Sequence, residues 1–260
     1  MSFRSATRGP LLILATTAAL LSFLLAYLDP QVRRNALFSF YLALALGTLD
    51  KGPIAFLLPG LIVVIFLIVQ QNLHFLWQQG KLGLGLPLFL ILLMPWYVAV
   101  GLETHWMWDK LFLLQQNIGR FDASMQGHRG PWFYYVLSVF LGMLPWSVFL
   151  PQALLWLKRT RALTPDKQQV KNQFMLLWAV IWIVFFSLSA TKLPSYVWES
   201  YPPLAILLAT YLDSRLQATQ KSLTKSDVLS LGVLFAIGVI LTTFGGWIVP
   251  MRQPEIPRML

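Results

Sequence analysis

The sequence has no cysteine and few charged residues. Only 12% of its 260 residues are Asp, Glu, Lys or Arg, whereas 57% are hydrophobic. Without cysteine there is no disulfide framework, no thiolate nucleophile and no cysteine-ligated zinc site. A soluble domain carries about 25% charged residues. The composition therefore excludes an ordinary soluble globular domain and favours a chain that lies in a bilayer.

The motifs of common soluble enzymes are also missing. There is no P-loop, dinucleotide-binding fingerprint or nucleophile elbow, and the three histidines lack the spacing of metal ligands. We therefore predict no cofactor, and leave a divalent metal ion open. The net charge of +10 would indicate nucleic acid in a soluble protein. Here the basic residues fall in loops between apolar blocks, where membrane orientation and anionic lipid headgroups account for them, so no nucleic-acid partner is expected.

Long apolar blocks define the predicted architecture. Each is read as a membrane helix because about 20 apolar residues cross the hydrocarbon core. We predict an all-α polytopic bundle of about eight transmembrane helices, forming a single transmembrane domain over residues 1–260, with these segments: 10–28, 36–49, 54–69, 82–100, 132–157, 174–188, 204–212 and 228–249. The first is read as a membrane helix and not as a signal peptide, because no small-residue cleavage pattern follows it. The long polar connection 101–131 is expected to carry a helix on the membrane surface.

Two lysines lie at the edges of apolar blocks. Lys51 precedes a Gly-Pro break and Lys192 begins a Lys-Leu-Pro turn. A charged side chain near hydrocarbon is costly and usually faces a cavity or a partner. Each lysine extends to the headgroups or pairs with a neighbouring carboxylate, or else it joins Arg120 and Tyr196 in a shared site for a phosphate or diphosphate. The placement of lysine and arginine puts Lys51, Lys192 and the long polar connection on the outer face.

Five short motifs, taken in order, resemble the signatures of bacterial GT-C membrane glycosyltransferases. The nearest family is the one that contains the aminoarabinose transferase of lipid A and the protein O-mannosyltransferases. The resemblance runs from about Gly9 to Leu212. It is carried by Leu49-Asp50-Lys51-Gly52-Pro53, Asn117-Ile118-Gly119-Arg120-Phe121, His128-Arg129-Gly130-Pro131-Trp132-Phe133-Tyr134-Tyr135, Leu144-Pro145-Trp146, and Phe185-Phe186-Ser187 with Lys192-Leu193-Pro194-Ser195-Tyr196.

This resemblance implies transfer of a sugar from a polyprenyl-phosphate carrier to a lipid, glycan or protein acceptor. It implies a multi-pass protein of the cytoplasmic (inner) membrane, with membrane lipids and the lipid-linked sugar as partners. Arg120 matches a donor-phosphate ligand, and Lys51 matches the lysine of a Thr-Lys-Gly motif that lines the cavity. Lys192 and Tyr196 match a Lys-Leu-Pro-x-Tyr motif near the same pocket. His128 and Arg129 match a basic pair on its rim.

The sequence also departs from the family pattern. Relatives place a catalytic carboxylate in a large outer loop after their first membrane helix, and the sequence contains no such loop. We therefore expect a C-terminal portion of such an enzyme, incomplete at its N-terminus and inactive alone, in which none of the outer carboxylates, Glu199 among them, is identified as the base. A lipid or solute transporter and a non-catalytic lipid-phosphate-binding protein are the alternatives.

Overall fold

A computed structural model describes residues 8–105, 130–160, 166–217, 228–236, 238–239 and 242–243. Within these ranges every regular element is a helix, which confirms the predicted all-α fold class. The α-helices are α1 (Arg8–Leu28), α2 (Arg33–Lys51), α3 (Ile54–Val69), α4 (Phe75–Gln78), α5 (Leu82–Glu103), α6 (Tyr134–Gly142), α7 (Leu150–Thr160), α8 (Asp166–Leu188) and α9 (Tyr201–Gln217). Two 3-10 helices, Trp146–Phe149 and Pro194–Ser200, precede α7 and α9. Residues 228–236 are also helical.

Three of the described helices are long and apolar enough to cross a membrane by themselves. They are Gly9–Leu28, Leu82–Glu103 and Lys167–Leu188. The apolar helix Ile54–Val69 is shorter. The last of the predicted segments, 228–249, is described only in part, and most of the connection 101–131 with its expected surface helix lies outside the described residues.

The predicted membrane segment over residues 132–157 is broken into two helical parts. Helix α6 ends at Gly142, and the chain continues into Trp146–Thr160 after a bend of 116°. Pro145 lies between the two parts, and its ring nitrogen has no hydrogen to donate to a helical carbonyl. Only together are the two parts long and apolar enough to cross a membrane, as one broken span.

Gly52 and Pro53 separate α2 from α3 as the sequence predicts. Gly52 has a φ of 82°, a value that favours glycine, and its amide donates to the Thr48 carbonyl at 2.8 Å. Pro53 then occupies the N-cap position of α3. The break leaves Lys51 as the last residue of α2.

A cluster of aromatic rings fills one end of the bundle. The ring centroid of Phe23, in α1, lies less than 7 Å from the ring centroids of five other aromatic residues: Tyr27, Phe40, Phe66, Phe75 and Phe174. These rings come from α1, α2, α3, α4 and α8, so the cluster ties together helices distant in sequence. We call this the aromatic end.

The opposite end contains both sequence-predicted lysines. There α1 begins, α2 ends at Lys51, and α8 gives way to the turn around Lys192. A Cβ placed on Gly9 would lie 3.4 Å from the Trp198 ring, which fixes the start of α1 against the 3-10 helix Pro194–Ser200. We call this the lysine end.

Candidate functional site

Lys192 is buried and bonded to the carboxyl-terminal turn of α8. Its Nζ donates to the Phe186 carbonyl at 3.1 Å and to the Ser187 carbonyl at 2.6 Å, and the side chain is 6% exposed. The ammonium also lies 5.3 Å from the centroid of the Tyr135 ring. Carbonyls at a helix C-terminus carry partial negative charge, so they stabilise the cation. Burial lowers the pKa of Lys192 from its ordinary value.

The turn after Lys192 is held by side chains of neighbouring helices. The Leu193 amide donates to the Tyr135 hydroxyl at 3.1 Å, and Trp182 Nε1 donates to the Tyr196 carbonyl at 2.9 Å. The Phe186 ring lies 5.0 Å from the Tyr196 ring. Tyr196 is therefore fixed at both its backbone and its ring.

Lys51 faces this fixed ring from α2. Its Nζ lies 5.8 Å from the centroid of Tyr196, and the residue is half-buried. Among the described residues, Lys51 Nζ makes no hydrogen bond and no ion pair within 4 Å. The structure thus brings Lys51, Tyr196 and Lys192 together, and the ammonium of Lys51 retains donors that could bind an anion.

A fourth group, Glu199, lies in the same 3-10 helix as Tyr196. Its side chain is 2% exposed, and Oε2 accepts no hydrogen bond within the described part of the chain. Burial raises the pKa of Glu199 to about 7, whereas the positive charge of Lys51 acts in the opposite direction. Glu199 follows the span α8 and precedes α9, so its carboxyl lies outside the spanning segments.

The sequence places Glu199 among the outer carboxylates but indicates no role for it. The one feature of the sequence that could have indicated a role for Glu199 is its position, seven residues after Lys192 and between two apolar runs. What the sequence could not reveal is that the carboxyl is buried, and that the charge of Lys51 acts on it.

Three of the predicted site residues, Arg120, His128 and Arg129, lie outside the described residues. Gly130, which follows them, is described, and a Cβ at that position would lie 3.2 Å from Lys192 Cγ. Gly130 therefore packs directly against the Lys192 side chain. Across the described ranges, no group of three His, Cys, Asp or Glu side chains could hold a metal ion.

Comparison with solved structures defines the class of fold. The crystal structure of ArnT from Cupriavidus metallidurans bound to undecaprenyl phosphate matches with a TM-score of 0.72 and 24% identity, covering 88% of this chain and 40% of that one. Its apo form matches with a TM-score of 0.68 over the same shares. The chain is thus a helical membrane protein with the GT-C-type fold.

Sequence comparison then gives the relationship. An undecaprenyl phosphate-alpha-4-amino-4-deoxy-L-arabinose arabinosyl transferase 1 of Pseudomonas fluorescens is 34% identical over 213 residues, which are 82% of this chain and 36% of the relative. The Aeromonas salmonicida transferase of that name is 34% identical over 74% of this chain and 34% of its own length. The chain is a homologue of these aminoarabinose arabinosyl transferases. It spans about a third of the length of the curated relatives it matches. No protein-family model matches it.

Proposed function

We propose that this chain carries the donor-phosphate site of a GT-C glycosyltransferase, which moves a sugar from a polyprenyl-phosphate carrier to an acceptor at the outer face of the inner membrane. The observation that carries the proposal is the ammonium of the half-buried residue Lys51, which faces Tyr196 and has no hydrogen-bond or ion-pair partner among the described residues. A relative of the same fold binds undecaprenyl phosphate.

The chemistry needs positive charge at the departing phosphate. When the bond from sugar to phosphate breaks, negative charge grows on the phosphate oxygens, and prearranged cations lower the energy of that state. Lys51 supplies a point charge, and Arg120 would add a two-pronged donor. The Tyr196 hydroxyl can donate a further hydrogen bond, with His128 and Arg129 at the rim. The polyprenyl tail would remain in the lipid.

Lys192 has a different role in this proposal. Two of its three N–H donors are already bonded to Phe186 and Ser187. Its charge raises the positive potential of the site, and its bonds hold the turn that presents Tyr196. We therefore assign direct phosphate contact to Lys51 first and to Lys192 only through its remaining donor.

The experiment compares Lys51→Ala with Arg34→Ala in lipid nanodiscs. Arg34 is exposed and lies at the other end of α2, so its removal changes the net charge equally without touching the site. Loss of a hydrogen bond to a charged group costs about 1.5–3 kcal/mol. We expect the Kd for polyprenyl phosphate to rise at least about tenfold in Lys51→Ala and to stay within about twofold in Arg34→Ala.

Equal affinity in Lys51→Ala and the unaltered chain would remove the basis of the donor site. Movement of a lipid-linked sugar across the bilayer of reconstituted vesicles, without transfer to any acceptor, would favour the transporter alternative.

A further inference from the structure

The lysine end buries a carboxyl that the proposed phosphate chemistry does not use. Glu199 is 2% exposed, and its neighbours Val197 and Ser200 are fully buried. Its Oε2 has no hydrogen-bond partner among the residues that the structure describes. Packing of Trp198 on Gly9 closes this 3-10 helix against α1. A buried carboxyl that accepts no bond at one oxygen is a costly feature, so it requires a compensating partner or a proton.

The charges around Glu199 identify that partner. Lys51 of α2 is the charged group whose field acts on Glu199 within the described residues. From α8, the neighbouring ammonium of Lys192 is bonded to two carbonyls, and from α6 the neutral Tyr135 ring packs on that ammonium. Tyr196, in the same 3-10 helix, presents its ring to Lys51. Lys51 is therefore the cation available to compensate an ionised Glu199.

Two states of this group have different consequences for an anion. An ionised Glu199 attracts Lys51 and cancels its charge, so that a phosphate must compete with an internal carboxylate. A protonated Glu199 leaves the full charge of Lys51 to the phosphate. Because like charges in one site raise each other's proton affinity, a bound phosphate would also favour the protonated carboxyl.

We propose that Glu199 is a positioning residue that competes with the donor phosphate for Lys51, so that binding of the lipid-linked phosphate is coupled to uptake of a proton by Glu199. This proposal rests on the proposed function, since it assumes that Lys51 contacts the donor. By linkage, protonation of Glu199 strengthens phosphate binding as much as phosphate binding strengthens protonation. The site then binds its donor more tightly below neutral pH and releases the lipid phosphate more readily above it.

The test measures the affinity for a polyprenyl phosphodiester in nanodiscs between pH 5.5 and 8.5. A phosphodiester is chosen because a phosphomonoester loses its second proton near pH 6 and would itself change charge in this window. We expect the Kd of the unaltered chain for the phosphodiester to be at least about fivefold lower at pH 5.5 than at pH 8.5. A fivefold change is the lower limit of typical couplings between two sites. Glu199→Gln, which mimics the protonated carboxyl, should bind tightly with less than about a twofold change across the window.

Glu103→Gln is the matched control, because Glu103 is an exposed carboxylate at the end of α5. It should retain the pH dependence of the unaltered chain. In a Lys51→Ala background, Glu199→Gln should alter the pH dependence much less, because the cation for which the two anions compete is gone and only their direct repulsion remains. A merely structural role for Glu199 would not produce this dependence on Lys51.

The outcomes separate this inference from the proposed function. If Glu199→Gln binds the phosphodiester with the pH dependence of the unaltered chain, the coupling is wrong and the phosphate site stands. If the Glu199→Gln effect is as large in the Lys51→Ala background as in the unaltered chain, competition for Lys51 is wrong. If the unaltered chain and Lys51→Ala bind the phosphodiester equally at every pH, the proposed function itself fails.

Discussion

Both ends of the bundle hold a cation above an aromatic ring. At the aromatic end, Arg33 lies 5.5 Å from the Phe75 centroid, and at the lysine end Lys51 lies 5.8 Å from the Tyr196 centroid. Arg33 Nε also donates to the Ala26 carbonyl at 3.0 Å, in the last turn of α1. Lys51 has no equivalent bond among the described residues.

This difference in hydrogen bonding distinguishes polar groups that stabilise the fold from polar groups that remain available to bind a ligand. At the aromatic end, Gln70 Nε2 donates to Gln173 Oε1 at 2.7 Å and so ties α8 to the residue that follows α3. At the lysine end, Glu199 has an oxygen that accepts no bond within the described residues. A satisfied polar group stabilises one conformation, whereas an unsatisfied charge creates affinity for a ligand. We therefore expect mutations at the aromatic end to change stability, and loss of Lys51 itself to change binding.

The largest effect on stability is expected for Phe23→Ala. Phe23 is 1% exposed and contacts five other aromatic rings, so truncation leaves a cavity in the aromatic end. We expect the free energy of unfolding to fall by about 4 kcal/mol, measured by thermal unfolding in detergent. Leu25→Ala is the control on the same helix, because Leu25 is 49% exposed. Phosphate affinity measured well below the unfolding transition should be unaltered, and a large loss of affinity would show that the two ends are not separable.

The next effect is a pH dependence of stability that originates at the lysine end. Burial raises the pKa of Glu199 from 4.5 to about 7, so the native chain binds a proton between these pH values that the unfolded chain has already released. The contribution of Glu199 to the free energy of unfolding is therefore greatest below pH 4.5, and it is lost as the pH rises to about 7. A shift of this size corresponds to about 3 kcal/mol. Unfolding measured at pH 5 and at pH 8 should show the loss.

Glu199→Gln checks the origin of that dependence. The amide does not titrate, so this variant should lose most of the difference between pH 5 and pH 8 and be the more stable chain at pH 8. Glu103→Gln should keep the difference. An equal slope in all three chains would assign the pH dependence to other groups.

Local patterns in the sequence were enough to predict much of the fold. The Gly-Pro pair at 52–53 ends α2 where expected, since its effect on the backbone is local. Apolar blocks located the membrane helices, although α8 begins at Asp166 and not at residue 174, because a polar turn can continue a helix. The bend near Pro145 was missed because the hydrophobicity of the segment continues through it.

The site depends on contacts that are distant in sequence. The pattern predicted that Lys51 and Lys192 share one face, and the structure brings both to the lysine end. The burial of Glu199 depends on packing between the start of α1 and the 3-10 helix Pro194–Ser200, about which no local pattern carries information. Lys192 donates its hydrogen bonds to backbone carbonyls. Because every residue has a backbone carbonyl, no residue type in the sequence indicates these partners.

The last prediction compares the two lysines directly, by Lys192→Met and Lys51→Met at pH 6. Lys192→Met removes two hydrogen bonds to carbonyls of the last turn of α8, of which the Phe186 carbonyl keeps its bond from the Ser189 amide. We expect it to lower the free energy of unfolding by about 2 kcal/mol. Lys51→Met removes no hydrogen bond within the described residues and conserves the apolar stem, so its effect on stability should be within about 0.5 kcal/mol.

Phosphate binding should rank the same two variants in the opposite order. Lys51→Met loses the donor that faces the phosphate, whereas Lys192→Met loses mainly the support of the turn that presents Tyr196. Both quantities can be measured on the same nanodisc samples, by thermal unfolding and by equilibrium binding. If Lys192→Met proved the weaker binder at full stability, Lys192 would be the direct phosphate ligand, because its loss would act on the ligand without acting on the fold.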